Sequence, residues 1–267
     1  MTESHTLTAR ELSLAYDGAD IIDHLDVSIP PGSITVIVGA NACGKSTLLR
    51  GLARLMKPRV GRVEVDGRDI HSYPSKQLAR LVGLLPQHPV APAGITVADL
   101  VARGRYPHQG WFARGTAADD AAIAHALEQT STTELAGRAV EELSGGQRQR
   151  VWIAMALAQE PEILLLDEPT TFLDVTHQVE VLDLLMHLNK ERGTTVVMVL
   201  HDLNLAARYA DHLIVMAKGA IVASGAPDEV ITVETVRAAF DLESVVIADP
   251  VCGSPMVVPI GRFHQLG

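Results

Sequence analysis

Ile34-Thr35-Val36-Ile37-Val38-Gly39-Ala40-Asn41-Ala42-Cys43-Gly44-Lys45-Ser46 is the stretch that decides the fold. Its first five residues are apolar or β-branched and read as a buried strand. The next eight fit G-x-x-x-x-G-K-[ST], and Leu48, Leu49, Leu52 and Leu55 then recur at helical spacing over Lys45–Leu55. A strand, a Gly-bounded loop and a helix together turn successive backbone N–H groups toward phosphate oxygens, and the helix dipole adds to their pull. Gly39, Ala40, Asn41, Ala42, Cys43, Gly44, Lys45, Ser46 and Thr47 are therefore the expected contacts of a nucleoside triphosphate. Lys45 is expected on the β- and γ-phosphates and the Ser46 hydroxyl on Mg²⁺. Ala42 is expected to keep out of the left-handed region, which an L-residue enters only under strain. Cys43, at a helix N-terminus, is expected to be a reactive thiol.

Outward from this loop the chain alternates strand and helix. Leu7–Tyr16 and Ile21–Ile29 read as strands about a turn at Asp17-Gly18, and Val60–Asp66 and Leu81–Leu85 as two more. From Thr96 to Ala158 the sequence is Ala-rich and helical in pattern (Val97–Arg103, Ala117–Gln129, Gly145–Ala158). Strands resume at Ile163–Asp167, Thr195–Leu200, Leu213–Met216 and Ala220–Ser224, with helices at Val175–Glu191 and Leu203–Tyr209. This pattern predicts an α/β fold with a mostly parallel sheet and a helical insertion. The expected division is one domain over 1–267, with 1–95 and 159–267 as core and 96–158 as helical subdomain. The tail from Ser244 to Gly267, punctuated by Pro250, Gly253, Pro255 and Pro259, is left open by pattern: short strands added to the core, or a face for a second subunit.

Bulk properties narrow the partners. Among 267 residues the formal net charge is −10, which argues against nucleic acid as the main partner. The small arginine groups at Arg103, Arg105 and Arg114 and at Arg148 and Arg150 read as solvated helix faces. No run approaches the roughly 18 apolar residues that span a bilayer, Met1–Tyr16 lacks the layout of a signal peptide, and two cysteines make no disulfide framework. A cytosolic chain is expected, held at a membrane, if at all, by another protein.

Two further stretches carry chemistry. The apolar run Ile163–Leu166 delivers Asp167 and Glu168 at the C-terminal end of a strand, where open α/β sheets bind ligands. Asp167 suits Mg²⁺, and Glu168 suits polarising a water. Leu143-Ser144-Gly145-Gly146-Gln147 opens a helix with exposed donors and little bulk, a second anion-binding terminus, with Ser144 also placed to cap it.

In the order phosphate loop, LSGGQ, LLLDEP, the chain strongly resembles the ATP-binding cassette (ABC) family of ATPases, over nearly its whole length. The resemblance implies a P-loop NTPase (RecA-like) core with an N-terminal antiparallel β subdomain and an inserted α-helical subdomain. It implies ATP and Mg²⁺ as cofactors and further site residues: Tyr16 stacking on adenine, Gln87 touching Mg²⁺ and sensing the γ-phosphate, Asp174 at a dimer seam, and His201 as the switch on the γ-phosphate. Glu168, His201, Lys45 and Gln87 form the implied catalytic set, and Ser46, Gln87 and Asp167 the implied metal ligands. In this family the Ser144–Gln147 segment of one subunit covers the ATP of another, so a homodimer is implied. Position 40 is Ala where many relatives have Pro, and position 42 is Ala where many have Gly; both fall on variable positions of the pattern.

The interval between Lys45 and Ser144 holds no sustained heptad, unlike the chromosome-structure members of the family, and the chain carries one cassette and no membrane helices of its own. That leaves a stand-alone transporter ATPase on separate permease subunits, peripheral at the cytoplasmic face of the membrane and served indirectly by a substrate-binding protein. Val101–Gln109, Thr170–Gln178 and His201–Ala206 look like ATPases of ferric-siderophore importers. Haem and cobalamin importers share much of this pattern and are the alternative, with a soluble non-transport ATPase behind them. The Gln87–Trp111 region is expected to receive a cytoplasmic helix of the permease.

Overall fold

The computed structural model describes residues 5–16, 18–110, 115–171 and 173–261. Asp17, Arg114, Phe172 and the end of the tail, which figure in the sequence reading, lie outside the described residues, as does Trp111. The first segment comprises strands β1 (Leu7–Tyr16), β2 (Ala19–Ile29) and β3 (Ile34–Gly39), helix α1 (Lys45–Leu52), and strands β4 (Val60–Val65) and β5 (Arg68–Asp69). Residues 72–194 add α2 (Ser75–Leu81), β6 (Val82–Leu85), α3 (Val97–Ala102), α4 (Ala117–Gln129), α5 (Gly145–Ala158), β7 (Ile163–Asp167) and α6 (Val175–Arg192). The last segment holds β8 (Thr195–Val199), α7 (Leu203–Tyr209), β9 (His212–Ala217), β10 (Ala220–Gly225), α8 (Pro227–Val230), α9 (Val233–Phe240), β11 (Ser244–Ala248) and β12 (Pro255–Pro259). Contacts divide the chain into two compact units, one from residues 72–194 and one from the first and last segments together.

In the unit built from both ends of the chain, β2-β1-β4-β5 form an antiparallel sheet in which Leu7 opposes Ile29 on one side and Val65 on the other. The second set of strands is parallel: β3 lies between β8 and β9, and β10 adds an antiparallel edge. All six residues of β3 and all five of β8 are buried. Strands covered on both faces read as continuous apolar runs, which is why the sequence shows no alternation there. The tail becomes the antiparallel hairpin β11–β12, docked on α7. Asn204 of α7 makes a reciprocal pair with Val257, its Nδ2 donating to the carbonyl (3.2 Å) and its Oδ1 accepting the N–H (2.7 Å). Arg208 pairs with Asp249 at 2.5 Å, and with the Val251 N–H holds that carboxyl at about 2.

The unit of residues 72–194 contains, among its described residues, the parallel pair β6–β7 and the five helices α2 to α6. The helical stretch 96–158 falls entirely within it. Helix α5 packs against α3 and α4 through its buried half, including Val151, Ile153, Ala154 and Leu157. Helix α4 begins with a capping box: the Thr116 hydroxyl accepts from the Asp119 N–H, and the Asp119 carboxylate accepts from the Thr116 N–H. Arg105 is not on a solvated face. It is 5 % exposed and donates to Asp119 (2.9 Å), Glu160 (2.7 Å) and the Ala158 carbonyl (2.7 Å). The Thr116 N–H and this guanidinium hold the Asp119 carboxyl at about 2. Removing one partner of such a buried group typically costs about 3–5 kcal/mol. No helix among the described residues is long and apolar enough to cross a membrane.

Candidate functional site

The phosphate loop lies at the C-terminal end of β3, the edge where ligands of parallel sheets bind. Gly39 pairs with Met216 of β9 so closely that a Cβ there would collide with the Met216 carbonyl, and would lie 2.7 Å from the Cys43 sulfur. Any side chain at 39 would therefore push β3 off β9. The loop is closed from behind by the Gly219 N–H donating to the Cys43 carbonyl at 3.0 Å. Gly44, with φ 106°, turns the chain into α1 without a side-chain cap, so the N-terminal turn of the helix opens toward the loop. Lys45 is 5 % exposed, and its Nζ donates to the carbonyls of Gly39 (2.8 Å) and Ala40 (3.0 Å). A buried ammonium at the mouth of a ring of N–H donors is a site for a polyanion.

Two expectations about this loop are corrected. Ala42 does enter the left-handed region, at φ 60°, because the chain must turn back between Asn41 and Cys43; a non-Gly residue there costs about 1–2 kcal/mol. Ala42→Gly removes the clash and adds unfolded-state entropy worth about 0.4–1 kcal/mol, so the net expected effect is a stabilisation of up to about 1.6 kcal/mol. A urea titration that shows a lower midpoint for Ala42→Gly, at unchanged slope, would contradict this. Cys43, for its part, is buried beneath Gly39 and is not a ready target for reagents; the exposed thiol is Cys252. The Cys252 thiol is lowered chiefly by hydrogen bonds from Ser254.

Tyr16 and His201 belong to the same unit as the loop. Tyr16 ends β1, 42 % exposed, with its hydroxyl accepting from Arg50 of α1 at 2.7 Å. The ring is thereby fixed to the helix that the loop opens. His201 follows β8, whose end is tied to β3 by the Leu200 N–H donating to the Ile37 carbonyl at 3.2 Å. It is exposed, on the same strand edge as Gly39. Asp202 after it caps α7, accepting from Asn204 and Leu205 N–H groups. Pattern reading missed the other wall of the loop: a cleft of ≈ 450 Å³ lined by Ala40–Cys43 together with Lys218 and Arg237–Asp241 at the end of α9.

In the other unit β7 delivers Asp167, 3 % exposed, and then Glu168. The parallel register Leu85↔Leu166 carries both strands two residues further to Gln87 and Glu168. Their side chains meet: Gln87 Nε2 donates to Glu168 Oε2 at 2.5 Å, and Thr171 Oγ1 donates to the same oxygen at 2.9 Å. Glu168 has φ 53°, an uncommon conformation for a Glu that turns the chain sharply after the strand. A carboxylate held by two donors on one oxygen presents its other oxygen in a fixed direction, which is what acceptance of a proton from a water needs.

Helix α5 starts at Ser144, whose hydroxyl accepts from the Gln147 N–H (3.3 Å) while Gln147 Oε1 accepts from the Ser144 N–H (3.1 Å). Ser144 and Gly145 are exposed. At Gly146 a Cβ would sit 3.0 Å from the ring of His177, so glycine lets α5 approach the start of α6. The His177 ring nitrogen in turn lies 2.7 Å from Asp174, the N-cap of α6. Asp174 is lowered below the usual carboxylate range by the His177 N–H and then by that ring. Gly146, His177 and Asp174 are thus one cluster, supported by Arg150 paired with Glu180 at 2.8 Å. Elsewhere in this unit Asp99, Ala102, Arg103, Tyr106 and Gln109 line a cleft of ≈ 650 Å³. Tyr106 is 66 % exposed, with the Lys76 ammonium 4.7 Å from its ring centre.

The donors suggested for a metal, the Ser46 hydroxyl, Asp167 and Gln87, are all hard oxygens. Among the described residues no cluster of three or more His, Cys, Asp or Glu could hold an ion. That chemistry suits Mg²⁺, which takes one or two protein oxygens and completes its shell with phosphates and water.

The family model described as ABC transporter matches residues 22–171. The ferric enterobactin transport ATP-binding protein FepC of Escherichia coli (strain K12) is 53% identical over 263 residues, 98% of this chain and 97% of that protein. The achromobactin transport ATP-binding protein CbrD of Dickeya dadantii (strain 3937) is 52% identical over 256 residues, covering 96% and 95%. Among solved structures, the dimeric post-hydrolysis state of the ATP-binding cassette MJ0796 bound to ADP and Pi is similar with a TM-score of 0.73 at 27% identity, over 82% of this chain and 98% of that one.

Proposed function

The chain belongs to the ABC transporter family, an ATP-binding and ATP-hydrolysing family, and from that premise we propose that it powers a membrane importer of ferric siderophores. Its fold is the P-loop NTPase fold, with an antiparallel N-terminal sheet, mostly parallel strands beyond it and helices. The observation that carries the chemistry is Glu168, clamped on one oxygen by Gln87 and Thr171 immediately after the buried Asp167. The cargo is supported by resemblance over nearly the whole chain to proteins named for ferric enterobactin and achromobactin transport.

In this reading the N–H groups from Ala40 to Thr47 and the Lys45 ammonium hold the β- and γ-phosphates, and Tyr16 stacks on the adenine. Ser46, Asp167 and Gln87 hold Mg²⁺, which when bound neutralises phosphate charge. Glu168 takes the proton of the attacking water, and His201 donates a hydrogen bond to the γ-phosphate. The Ser144–Gln147 segment, with Ser144 and Gly145 exposed, covers the nucleotide of a second copy, with Asp174 at the seam, so the working unit is a homodimer. Closure around the γ-phosphate and opening after its loss shift the population between two states.

The exposed Tyr106 and the cleft beside it, between Gln87 and Gln109, receive a cytoplasmic helix of the permease. The subunit therefore works peripherally at the cytoplasmic face, and a substrate-binding protein acts on it through the permease. The net charge of −10 weighs against nucleic acid as its main partner. Deleting the gene in its host is expected to stop uptake of at least one radiolabelled ferric siderophore, with rescue by the parent chain. Intact siderophore uptake together with lost haem or cobalamin uptake would move the cargo to that chelate.

A further inference from the structure

We propose that Arg105 and His108 are positioning residues that fasten the permease-facing cleft to the far end of α5, so that movement at Ser144–Gln147 reaches the cleft through one rigid helix. The inference rests on the reading that Ser144–Gln147 engages ATP across a dimer. Its geometry lies within the unit of residues 72–194.

An α-helix leaves its last carbonyls without intrahelical partners. At the C-terminal end of α5 two carbonyls there are taken by the segment that lines the cleft. Arg105 Nη1 donates to the Ala158 carbonyl at 2.7 Å, and His108 Nε2 lies 2.8 Å from the Gln159 carbonyl. The guanidinium, 5 % exposed, also holds Asp119 of α4 and Glu160 just past α5, and its charge complements the helix C-terminus. Gly104 brings the segment against the helix: a Cβ there would collide with the Met155 carbonyl and lie 3.1 Å from the Ala158 Cβ. Arg103, Tyr106 and Gln109, interleaved with these anchors, line the cleft.

At the other end α5 begins with the Ser144 cap, the close approach of Gly146 to His177 and the Arg150–Glu180 pair. Between Gln147 and Ala158 it contains no Pro or Gly, and its buried face is packed along Val151–Ala158, so nothing in it invites a bend. Fourteen residues make a rod of about 21 Å. A load applied at one end of a packed rod appears at whatever is hydrogen-bonded to the other. The anchors permit a direct test of that coupling.

The experiment is hydrogen exchange read by mass spectrometry on the full chain carrying Glu168→Gln, with and without Mg-ATP. Exchange is expected to slow at 144–147 and to change at least threefold at 99–109. Adding Arg105→Lys, which keeps a charge but cannot span Asp119, Ala158 and Glu160 together, is expected to abolish the response at 99–109 while leaving that at 144–147. Because a buried arginine is a risk to folding, His108→Phe serves as the second variant; it breaks the Gln159 link without touching the ion cluster and is expected to at least halve the response. A purely structural role would raise exchange at 99–109 with or without nucleotide and leave the ATP-dependent change in place, and that outcome overturns the proposal. So does a parent that responds at 144–147 but not at 99–109. A parent silent at 144–147 instead removes the dimer reading on which the proposal stands.

Discussion

Glu168→Gln is expected to bind Mg-ATP with close to the parent affinity, to turn over about 10²–10⁴-fold more slowly, and to elute as a dimer in Mg-ATP. The substitution is nearly isosteric. The amide oxygen can go on accepting from Gln87 and Thr171, which hold Glu168 Oε2 at 2.5 and 2.9 Å, so the turn after β7 is retained. What is lost is the second oxygen as a proton acceptor, because an amide nitrogen donates where a carboxylate accepts. The rate falls by the worth of a general base while binding stays, and the unhydrolysed nucleotide holds two copies together. Single-turnover kinetics beside gel filtration separate the effects. Turnover within tenfold of the parent takes Glu168 out of the proton-accepting role.

Lys45→Ala is expected to have the opposite signature, with the loss in binding. Hydrogen bonds to charged groups are worth about 1.5–3 kcal/mol each; losing those to two phosphates weakens ATP affinity roughly 10²- to 10⁴-fold. The structure adds a second effect. The same Nζ satisfies the carbonyls of Gly39 and Ala40, so its removal also loosens the loop that presents the N–H donors. Calorimetric titration with Mg-ATP, after circular dichroism has shown the fold intact, reads the effect. An affinity within threefold of the parent would mean that the backbone alone binds the phosphates.

Much of this was legible because it is local. β1, α4, α5, β7 and α7 run over the residues that periodicity predicts, and β3 extends the expected strand by one residue, to Gly39. Helix α1 stops at Leu52, short of Leu55, because Arg54 turns left-handed and Leu55 is left 63 % exposed. Helix α9 carried a readable signal in the Thr232 cap and was missed, as was the shorter α2, where Leu78 alone is buried. The hairpin β11–β12 could not be read from its own residues. Its prolines sit at the ends of β12, and its register is fixed by Asn204, far away in sequence. The same holds in the candidate site. The motifs named Gln87 and Glu168 separately, but their contact follows from β6 and β7 pairing in parallel. The helix N-terminus beside Cys43 was visible in sequence; its burial under Gly39 comes from the three-dimensional closure of the loop. Arg105 looked like any surface arginine until Asp119, Ala158 and Glu160 were brought around it.

The division of the chain has a consequence for synthesis. Strand β3 is buried along its whole length and pairs with β8 and β9, which come after residues 72–194. On a ribosome moving at about 5–20 residues per second, β3 emerges on the order of 10–30 s before β9 exists. The antiparallel sheet of β1, β2 and β4 can close early, since its strands are neighbours in the nascent chain. The middle segment, with its short-range helical contacts, can follow. This fully buried strand, with the phosphate loop at its end, waits for partners far downstream, and through that interval its open edges are a template for the wrong chain. Shielding β3 during translation is therefore a requirement this topology places on the cell, however stable the finished protein is.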